Sequence, residues 1–540
     1  MRHDQEYASI PNAIRRAADR FGDAAAVIDG THRWSFRELA ERMTRAVRAA
    51  LALGIGPGDR VGLCAPNSAE WIVAALGVQG AGGIVVPLNT RFKPAELAYV
   101  LRASAAKALF AADFLGTDYV AELRRAAPDV PALHSTISLT GPRGSADRTW
   151  SDFLDAGRAV TESEAHAAID RLTPDRVCDI MFTSGTTGHP KGVMLTHGQS
   201  LRLYGWLGHA YGYERSDVSL IVPPFFHCFG SKAGWLTSLL HGVAVVPLPL
   251  FEPGRTLELV GEEKVTVLSG PPTLFQDLID CPERSHHDLS SLRFAMTGAT
   301  TVPESLIHAM RDELSLEVVM CAYGLTEASA LVTTTRIGDG VGTVSRTTGR
   351  AIPGVAVRIV DPAGRELPPG RPGEVVMRGY TMTRGYWEDP DATRALIDED
   401  GWLHTGDVGC LDMDGNLSII DRIKDMYISG GFNVYPTEVE RLLQRCTSVE
   451  QVSVVGVPDP RLGEVGCAFV VPRPGDRLTE EQVIAWARDN MANFKVPRHV
   501  RLVEQLPRNA SHKVLKHRLR AEFTGPLASA RSSAAGSREG

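Results

Sequence analysis

A chain of 540 residues exceeds what one hydrophobic core supports, so two or more domains are expected. Its 57 basic and 64 acidic residues leave a formal net charge of -7 with no basic block, which argues against general nucleic-acid binding without forbidding a nucleotide held by local loops. No run approaches the roughly 18 apolar residues of a membrane span, and the charged start "MRHDQEYASIPNAIRRAADRFGD" lacks the apolar centre of a signal peptide. A cytoplasmic location is therefore expected. Cys64, Cys178, Cys228, Cys281, Cys321, Cys410, Cys446 and Cys467 form no Cys-x-x-Cys pair and read as reduced thiols.

In chain order, "SFRELAERMTRAVRAALALG" predicts a helix, with Ser35 as N-cap and Glu38 at capping-box spacing. "DRVGLCAP" and "IVVPLN" predict buried strands around the helix "SAEWIVAALGVQGAGG". The alternation recurs in "VSLIVPPFF", "GVAVVPL", "VTVLSGPP", "LRFAMTGA" and "LEVVMCAYG", each an apolar run ending in small or turn residues. This pattern predicts an α/β fold of parallel sheets flanked by helices, with ligands at the carboxyl ends of the strands. From about Val355, "VAVRIVD", "GEVVMRG" and "GNLSIID" predict a β-rich subdomain. After "DRIKD", two helices and two strands, "PTEVERLLQRC", "QVSVVGVPD", "CAFVVPR" and "TEEQVIAWARDNM", predict a small α+β domain. The expected boundaries are 1–420, a hinge at 421–425, a C-terminal domain at 426–523 and a disordered tail at 524–540, whose composition is small and polar.

Five short segments carry chemistry. "TSGTTGHPKGV" follows an apolar strand; it is no Walker loop, because Lys191 follows proline and Gly192 occupies the place of the magnesium-binding hydroxyl. Gly185, Gly188 and Gly192 allow close backbone approach to an anion, Thr183, Ser184, Thr186 and Thr187 supply hydroxyls, and Lys191 supplies charge. The segment reads as a polyphosphate cradle or as a surface turn. In "YGLTE", Glu327 offers a hard oxygen ligand for Mg²⁺ and Tyr323 a flat face for a base, or else a solvated glutamate and a core tyrosine. Asp407 in "GWLHTGD" suits a ribose diol, and "DRIKDMYISGGFNVYPTEVE" places Arg422 as a second contact. "LPRNASHKVLK" places Lys513 in a loop-like segment.

In this order the five segments resemble the AMP-forming acyl-CoA synthetase family of adenylating enzymes, from about Ile10 to about Arg520. The resemblance implies a large N-terminal adenylating domain, a small mobile C-terminal domain, and ATP, Mg²⁺ and coenzyme A as cofactors. It implies that Thr183 to Lys191 hold the pyrophosphate side of ATP, that Gly298, Ala299 and Thr300 pack on adenine with Tyr323 beside it, that Gly324 belongs to the cofactor-binding set, and that Thr326 sits near the α-phosphate. Glu327 would be the magnesium ligand, Asp407 and Arg422 the ribose contacts, and Lys424 the hinge. Gly430 and Gly431 would leave room for pantetheine, and Lys513 would reach the substrate carboxylate and α-phosphate. Lys513, Glu327, Thr183 and Lys191 are the catalytic set so implied. A carboxylate would attack ATP to give acyl-AMP and pyrophosphate, and CoA sulfur would then displace AMP. His512 departs from the family's glycine before the catalytic lysine, a strain if that position needs positive φ.

On the acid side, "PPFFHCFGSKAGW" supplies Phe226, His227, Phe229, Gly230 and Trp235, with Trp206 as a further wall. Lys232 reads either as one partner of a helix-surface salt bridge or as a group meeting an oxygen on the acid's far end. Together with "LSGPPTLFQDLID" and "DRIKDMYISGGFNVYPTEVE", this stretch is especially similar to bacterial ligases acting on the bicyclic propanoate left from sterol-ring degradation. A medium- or long-chain fatty acid is the alternative acid. Loading of a carrier protein, a luciferase-like oxygenase and a nucleotide sensor are the alternative functions. The expected partners are a small carboxylic acid, ATP and CoA, without nucleic acid or membrane span, and a homodimer is the assembly considered.

Overall fold

The computed structural model describes residues 6–141, 143–183, 190–298, 302–429, 432–508 and 514–523, the side chain of Asn433 apart. The chain divides into two compact units, Met1–Val357 with Met377–Leu403, and Arg358–Val376 with His404–Gly540. Among the described residues, no helix is long and apolar enough to cross a membrane.

The first unit contains two large sheets. In the seven-stranded sheet the order is Arg148–Thr149, Ser135–Ser138, Ala108–Ala111, Arg60–Cys64, Ile84–Pro87, Val177–Thr183, Lys191–Thr196. The first six strands run parallel, and Lys191–Thr196 closes the edge antiparallel to Val177–Thr183. In the nine-stranded sheet, Val318–Tyr323, Phe294–Gly298, Val267–Ser269, Val218–Ile221, Ala244–Pro247 and Ala25–Asp29 form a parallel centre, with short antiparallel strands at both edges. Each expected apolar run is one of these strands, because a parallel strand covered on both faces is apolar along its length rather than alternately.

The expected capping box is present at Phe36–Ala52: Ser35 Oγ accepts from the Glu38 amide at 3.2 Å, and Glu38 Oε2 accepts from the Ser35 amide at 2.8 Å. Its buried residues Phe36, Leu39, Met43, Val47 and Ala50 recur at helical spacing, so one face enters the core while the other stays polar. The helix Ala69–Gly80 buries every residue but Glu70, as its lack of a polar face requires.

In the second unit, the strand Tyr427–Ser429 pairs with Phe432–Val434 and with Gly463–Pro472, and Gly463–Pro472 pairs along its length with Val449–Asp459. Helices Pro436–Leu443 and Glu480–Asn490 bury Val439, Leu443, Val483 and Ala487 in one cluster with the valines of that sheet, the α+β arrangement expected. A separate sheet, in the order Val355–Val360, Gly373–Gly379, Leu403–Leu411, Leu417–Arg422, is the expected β-rich region.

One buried histidine gives this core a pH dependence. His197 is 1% exposed, and its Nδ1 accepts the Ile10 amide at 3.2 Å. Burial, then the charges of Lys232 and Arg176, lowers its pKa to about 3. An unfolded histidine titrates near 6.5, so between about pH 3 and 6.5 the unfolded chain binds one proton more than the folded one. Stability therefore rises with pH across that window and is lost on acidification, by at most about 1.4 kcal/mol per pH unit from this group. His197→Gln keeps an acceptor for Ile10 and should flatten the denaturation midpoint between pH 4.5 and 6.5 relative to wild type. Parallel pH profiles for the two proteins would reject the assignment.

Candidate active site

The antiparallel hairpin at the edge of the seven-stranded sheet places Phe182 opposite Gly192 and Thr183 opposite Lys191. The two ends of the candidate phosphate loop are thus held side by side. Ser184, Gly185, Thr186, Thr187 and Gly188 lie outside the described residues, as do Ala299, Thr300, Gly430, Gly431, His512 and Lys513. Lys191 Nζ lies 5.1 Å from the centroid of the Tyr386 ring.

The strand Val318–Tyr323 runs beside Phe294–Gly298, with Gly298 registered on Ala322. After Tyr323, whose carbonyl accepts the Val332 amide at 2.8 Å, the chain turns through Thr326–Ala328. Ser329 and Ala330 follow with φ of 52° and 67°, a left-handed pair without a glycine. Such conformations are costly and persist where the surroundings fix them. Here Tyr204 Oη donates to the Ser329 carbonyl at 2.6 Å, Ser329 Oγ donates to the Thr381 carbonyl at 2.8 Å, and the Ala330 amide donates to the Leu325 carbonyl at 2.8 Å. Gly324 is obligatory in this turn: a Cβ there would lie 2.1 Å from the Ala330 oxygen.

The tight turn presents Glu327. Its carbonyl accepts the Thr383 amide at 2.7 Å, and its Oε1 accepts the Tyr386 hydroxyl at 2.9 Å. Burial, reinforced by the charge of Glu327, pushes the Tyr386 hydroxyl far above its ordinary pKa, so it remains a donor. Lys191 and Glu327, 136 positions apart in the numbering, thus share one aromatic neighbour. Tyr386, Thr383 and Tyr204 were not legible as site residues. The only local signal was the aromatic pair closing "TMTRGYW" after Gly385.

On the acid side, the rings of Phe226 and His227 lie 5.8 Å apart. His227 is exposed, and the protein crowded around it lowers its pKa by desolvation. Residues Phe229–Leu236 form a π-helical segment in which the Thr237 amide reaches the Lys232 carbonyl, five residues back. Such widened turns recur at functional sites. Gly230 permits it, since a Cβ would fall 2.2 Å from the Pro223 oxygen and 2.3 Å from that of Pro224. Trp235 is buried edge-on to Trp71, and Trp206 lies against the Arg336 guanidinium at 5.6 Å.

Lys232 makes the salt bridge that was one of its two readings, in the interior rather than at a helix surface. Its Nζ is 2.5 Å from Asp179 Oδ2, with side-chain exposures of 1% and 4%. Gln79 Nε2 donates to Asp179 Oδ1 at 3.2 Å, and Cys178 Sγ donates to Oδ2 at 3.0 Å. Burial is the largest influence and opposes the lysine's charge, but Asp179 together with Cys178 and Cys228 outweighs it and leaves the pKa of Lys232 raised. Asp179 belongs to Val177–Thr183, the strand that enters the candidate phosphate loop.

In the second unit, Asp407 and Arg422 face each other across paired strands, with Arg422 Nε 2.9 Å from Asp407 Oδ1. The carboxylate is buried and the guanidinium about a third exposed, so a donor and an acceptor lie together for a vicinal diol. Lys424 follows in an exposed turn in which the Asp425 and Met426 amides donate to the Arg422 carbonyl at 3.0 Å. Desolvation, then Arg422, lowers the pKa of Lys424.

Comparison with known proteins shows the family. Residues 14–387 match the family described as AMP-binding enzyme, and residues 438–513 match the AMP-binding enzyme C-terminal domain. A Rhodococcus jostii protein named as a CoA ligase of a 7a-methyl-1,5-dioxo-octahydro-1H-inden-4-yl propanoyl group is 46% identical over 95% of this chain and 98% of its own length. A Mycobacterium tuberculosis protein of the same name is 46% identical with the same coverage. The crystal structure of ATP-bound MatB from Rhodopseudomonas palustris matches with a TM-score of 0.84 at 31% identity, over 95% of this chain and 99% of that one.

The buried pair yields a stability prediction. Lys232→Met strands the Asp179 carboxylate in the core and should cost about 3–5 kcal/mol, whereas Asp179→Asn combined with Lys232→Met should recover much of that loss. Thermal melting of the two variants measures it. A single variant as stable as wild type would remove the pair from the structural account.

Proposed function

We propose that this chain, which belongs to the AMP-binding enzyme family and is an ATP-dependent acyl-CoA ligase, takes a bulky ring-bearing propanoate as its acid. The observation that carries the acid is near-complete alignment, at 46% identity, with two ligases named for a bicyclic diketone propanoyl group. Phe226, His227, Gly230 and Lys232 form the acyl-side set in this reading. Lys232 acts there through Asp179, which fixes the widened turn bearing Gly230, a turn that begins two residues after His227.

The chemistry proceeds in two steps. The acid's carboxylate attacks the α-phosphorus of ATP, forming the mixed anhydride acyl-AMP and releasing pyrophosphate; the thiolate of CoA then attacks the acyl carbon and AMP leaves. No side-chain nucleophile is needed. The first step crowds anions together, so fixed positive charge and donors aimed at the phosphates lower its barrier. In this reading Thr183, Ser184, Gly185, Thr186, Thr187, Gly188 and Lys191 supply them on the pyrophosphate side, with Lys513 at the α-phosphate. Gly298, Ala299, Thr300, Tyr323 and Gly324 line the base, Thr326 lies by the α-phosphate, and Asp407 and Arg422 hold the ribose.

Mg²⁺ fits this set as a metal held chiefly by phosphate. Among the described residues, no group of three or more His, Cys, Asp or Glu could hold an ion unaided. Glu327 offers one carboxylate oxygen beside the one that Tyr386 occupies, the sparse protein ligation usual for Mg²⁺ on a nucleotide. Bound there, it would neutralise charge on the phosphates. A hinge at 421–425, turning about Lys424, is supported by the exposed turn where the chain passes from one sheet of the second unit to the other. Gly430 and Gly431 would give pantetheine a narrow path.

The test is an acid panel assayed for AMP, pyrophosphate and CoA thioester together. A keto-bearing bicyclic propanoate should exceed straight-chain acids at least tenfold in kcat/KM. Preference for medium or long fatty acids would replace the ring-acid reading, and ADP as the nucleotide product would overturn adenylation. Lys513→Ala should slow acid-dependent pyrophosphate release by about 100-fold or more while largely retaining thioester formation from supplied acyl-AMP. Equal loss of both would reject its role.

A further inference from the structure

We infer that Tyr386 is a positioning residue for adenylation, orienting the Glu327 carboxylate through its hydroxyl and seating the Lys191 ammonium over its ring. The inference rests on the reading of Glu327 and Lys191 as the groups that face magnesium and the phosphates of ATP. Nothing in the motifs singles this tyrosine out; its place in the fold does.

Tyr386 belongs to a short segment fastened to both partners. The Trp387 amide donates to the Gly192 carbonyl at 2.7 Å, the Met194 amide to Gly385 at 3.2 Å and the Arg384 amide to Met194 at 3.3 Å, while Tyr386 bridges Val193. These bonds bind the segment to the strand that begins with Lys191. Thr383 continues the connection: its hydroxyl donates to the Met194 carbonyl at 2.8 Å, and its amide donates to the Glu327 carbonyl at 2.7 Å. Five consecutive residues, Thr383 to Trp387, thus tie the end of the candidate phosphate loop to the turn bearing Glu327.

The side chain completes the tie. A glutamate's terminal torsion is broad and roughly two-fold, so an unrestrained carboxylate would present its oxygens over a range of planes. The Tyr386 hydroxyl on Oε1 fixes that plane, and among the described residues no donor engages Oε2. Oε2 is therefore the oxygen directed to a ligand. The ring contributes separately, because a cation 5.1 Å from its centroid is attracted to the aromatic face. One side chain thereby restrains a negative and a positive group whose spacing decides how a polyphosphate is received. A tyrosine serving only to fill space would need neither its hydroxyl on a carboxylate nor a lysine over its face.

The experiment uses full-length enzyme and four variants, Tyr386→Phe, Tyr386→Leu, Glu327→Gln and the double variant Tyr386→Phe with Glu327→Gln. Tyr386→Phe keeps the ring and removes the hydroxyl. It should raise the Mg²⁺ concentration for half-maximal pyrophosphate release at least fivefold, leaving KM for CoA and thioester formation from supplied acyl-AMP unchanged. In titration calorimetry, Tyr386→Phe should bind metal-free ATP as wild type does but lose most of the tightening that Mg²⁺ brings. Tyr386→Leu should also weaken metal-free binding. In the Glu327→Gln background, Tyr386→Phe should change the Mg²⁺ dependence less than twofold, because the hydroxyl acts through the carboxylate. Wild-type Mg²⁺ dependence in Tyr386→Phe would overturn the inference, as would an undiminished effect in the double variant. So would a fall in melting temperature accompanied by equal loss of both half-reactions. If wild type releases no pyrophosphate with any acid, the ligase reading itself fails, whatever the variants show.

Discussion

Antiparallel pairing of Val177–Thr183 with Lys191–Thr196 is the constraint on which the candidate site depends. A parallel sheet sends each strand's carboxyl end to a crossover connection. Here the sixth strand instead turns back at once, so a loop rich in glycine and hydroxyls has both ends fixed on one sheet edge, Thr183 opposite Lys191.

Two attachments stop this hairpin from shifting. On the interior side, Asp179 is held by Lys232, Gln79 and Cys178. On the outer strand, the segment Thr383–Trp387 adds backbone bonds to Gly192 and Met194. The same segment reaches the Glu327 turn, whose left-handed Ser329 and Ala330 are held in place by Tyr204 and Thr381. The strain of that turn is local, but its restraints come from a helix and a loop distant in sequence, so Glu327 is held by the packing of the whole unit rather than by its own motif.

This explains what was legible in the residues alone. The parallel strands could be read because burial on both faces writes an unbroken apolar run, and the helix at Phe36 because Ser35 and Glu38 satisfy each other within one turn. The candidate motifs could be proposed for the same reason: "YGLTE" and "HTGD" keep their candidate ligand groups within a few residues. Long-range pairings leave no such local trace. Asp179 sits in "VCDIMF", where it reads as an interruption of an apolar strand, and only the fold supplies the lysine 53 residues away that allows its burial. Tyr386 lies 59 residues from the carboxylate it touches. The salt bridge of Lys232 could be named, but its depth could not, because its partner Asp179 lies 53 residues away on a buried strand.

The buried pair bears on what such a site requires. Apolar residues of similar volume would serve the core at least as well, since desolvation consumes most of the attraction between two buried charges. What apolar packing does not supply is a directed contact of fixed length between two particular atoms. Lys232 lies in the widened turn that also carries Gly230, three residues beyond His227, and Asp179 lies four residues before Thr183. A displacement of the turn against the strand would expose an unpaired charge in the interior, a penalty far steeper than that of sliding methyl groups past one another. The pair thus acts as a stop on relative motion between the segment proposed for the acid and the strand leading to the candidate phosphate loop. In-line attack of a carboxylate on phosphorus tolerates little misplacement, and a stop of this kind earns its desolvation cost through geometry.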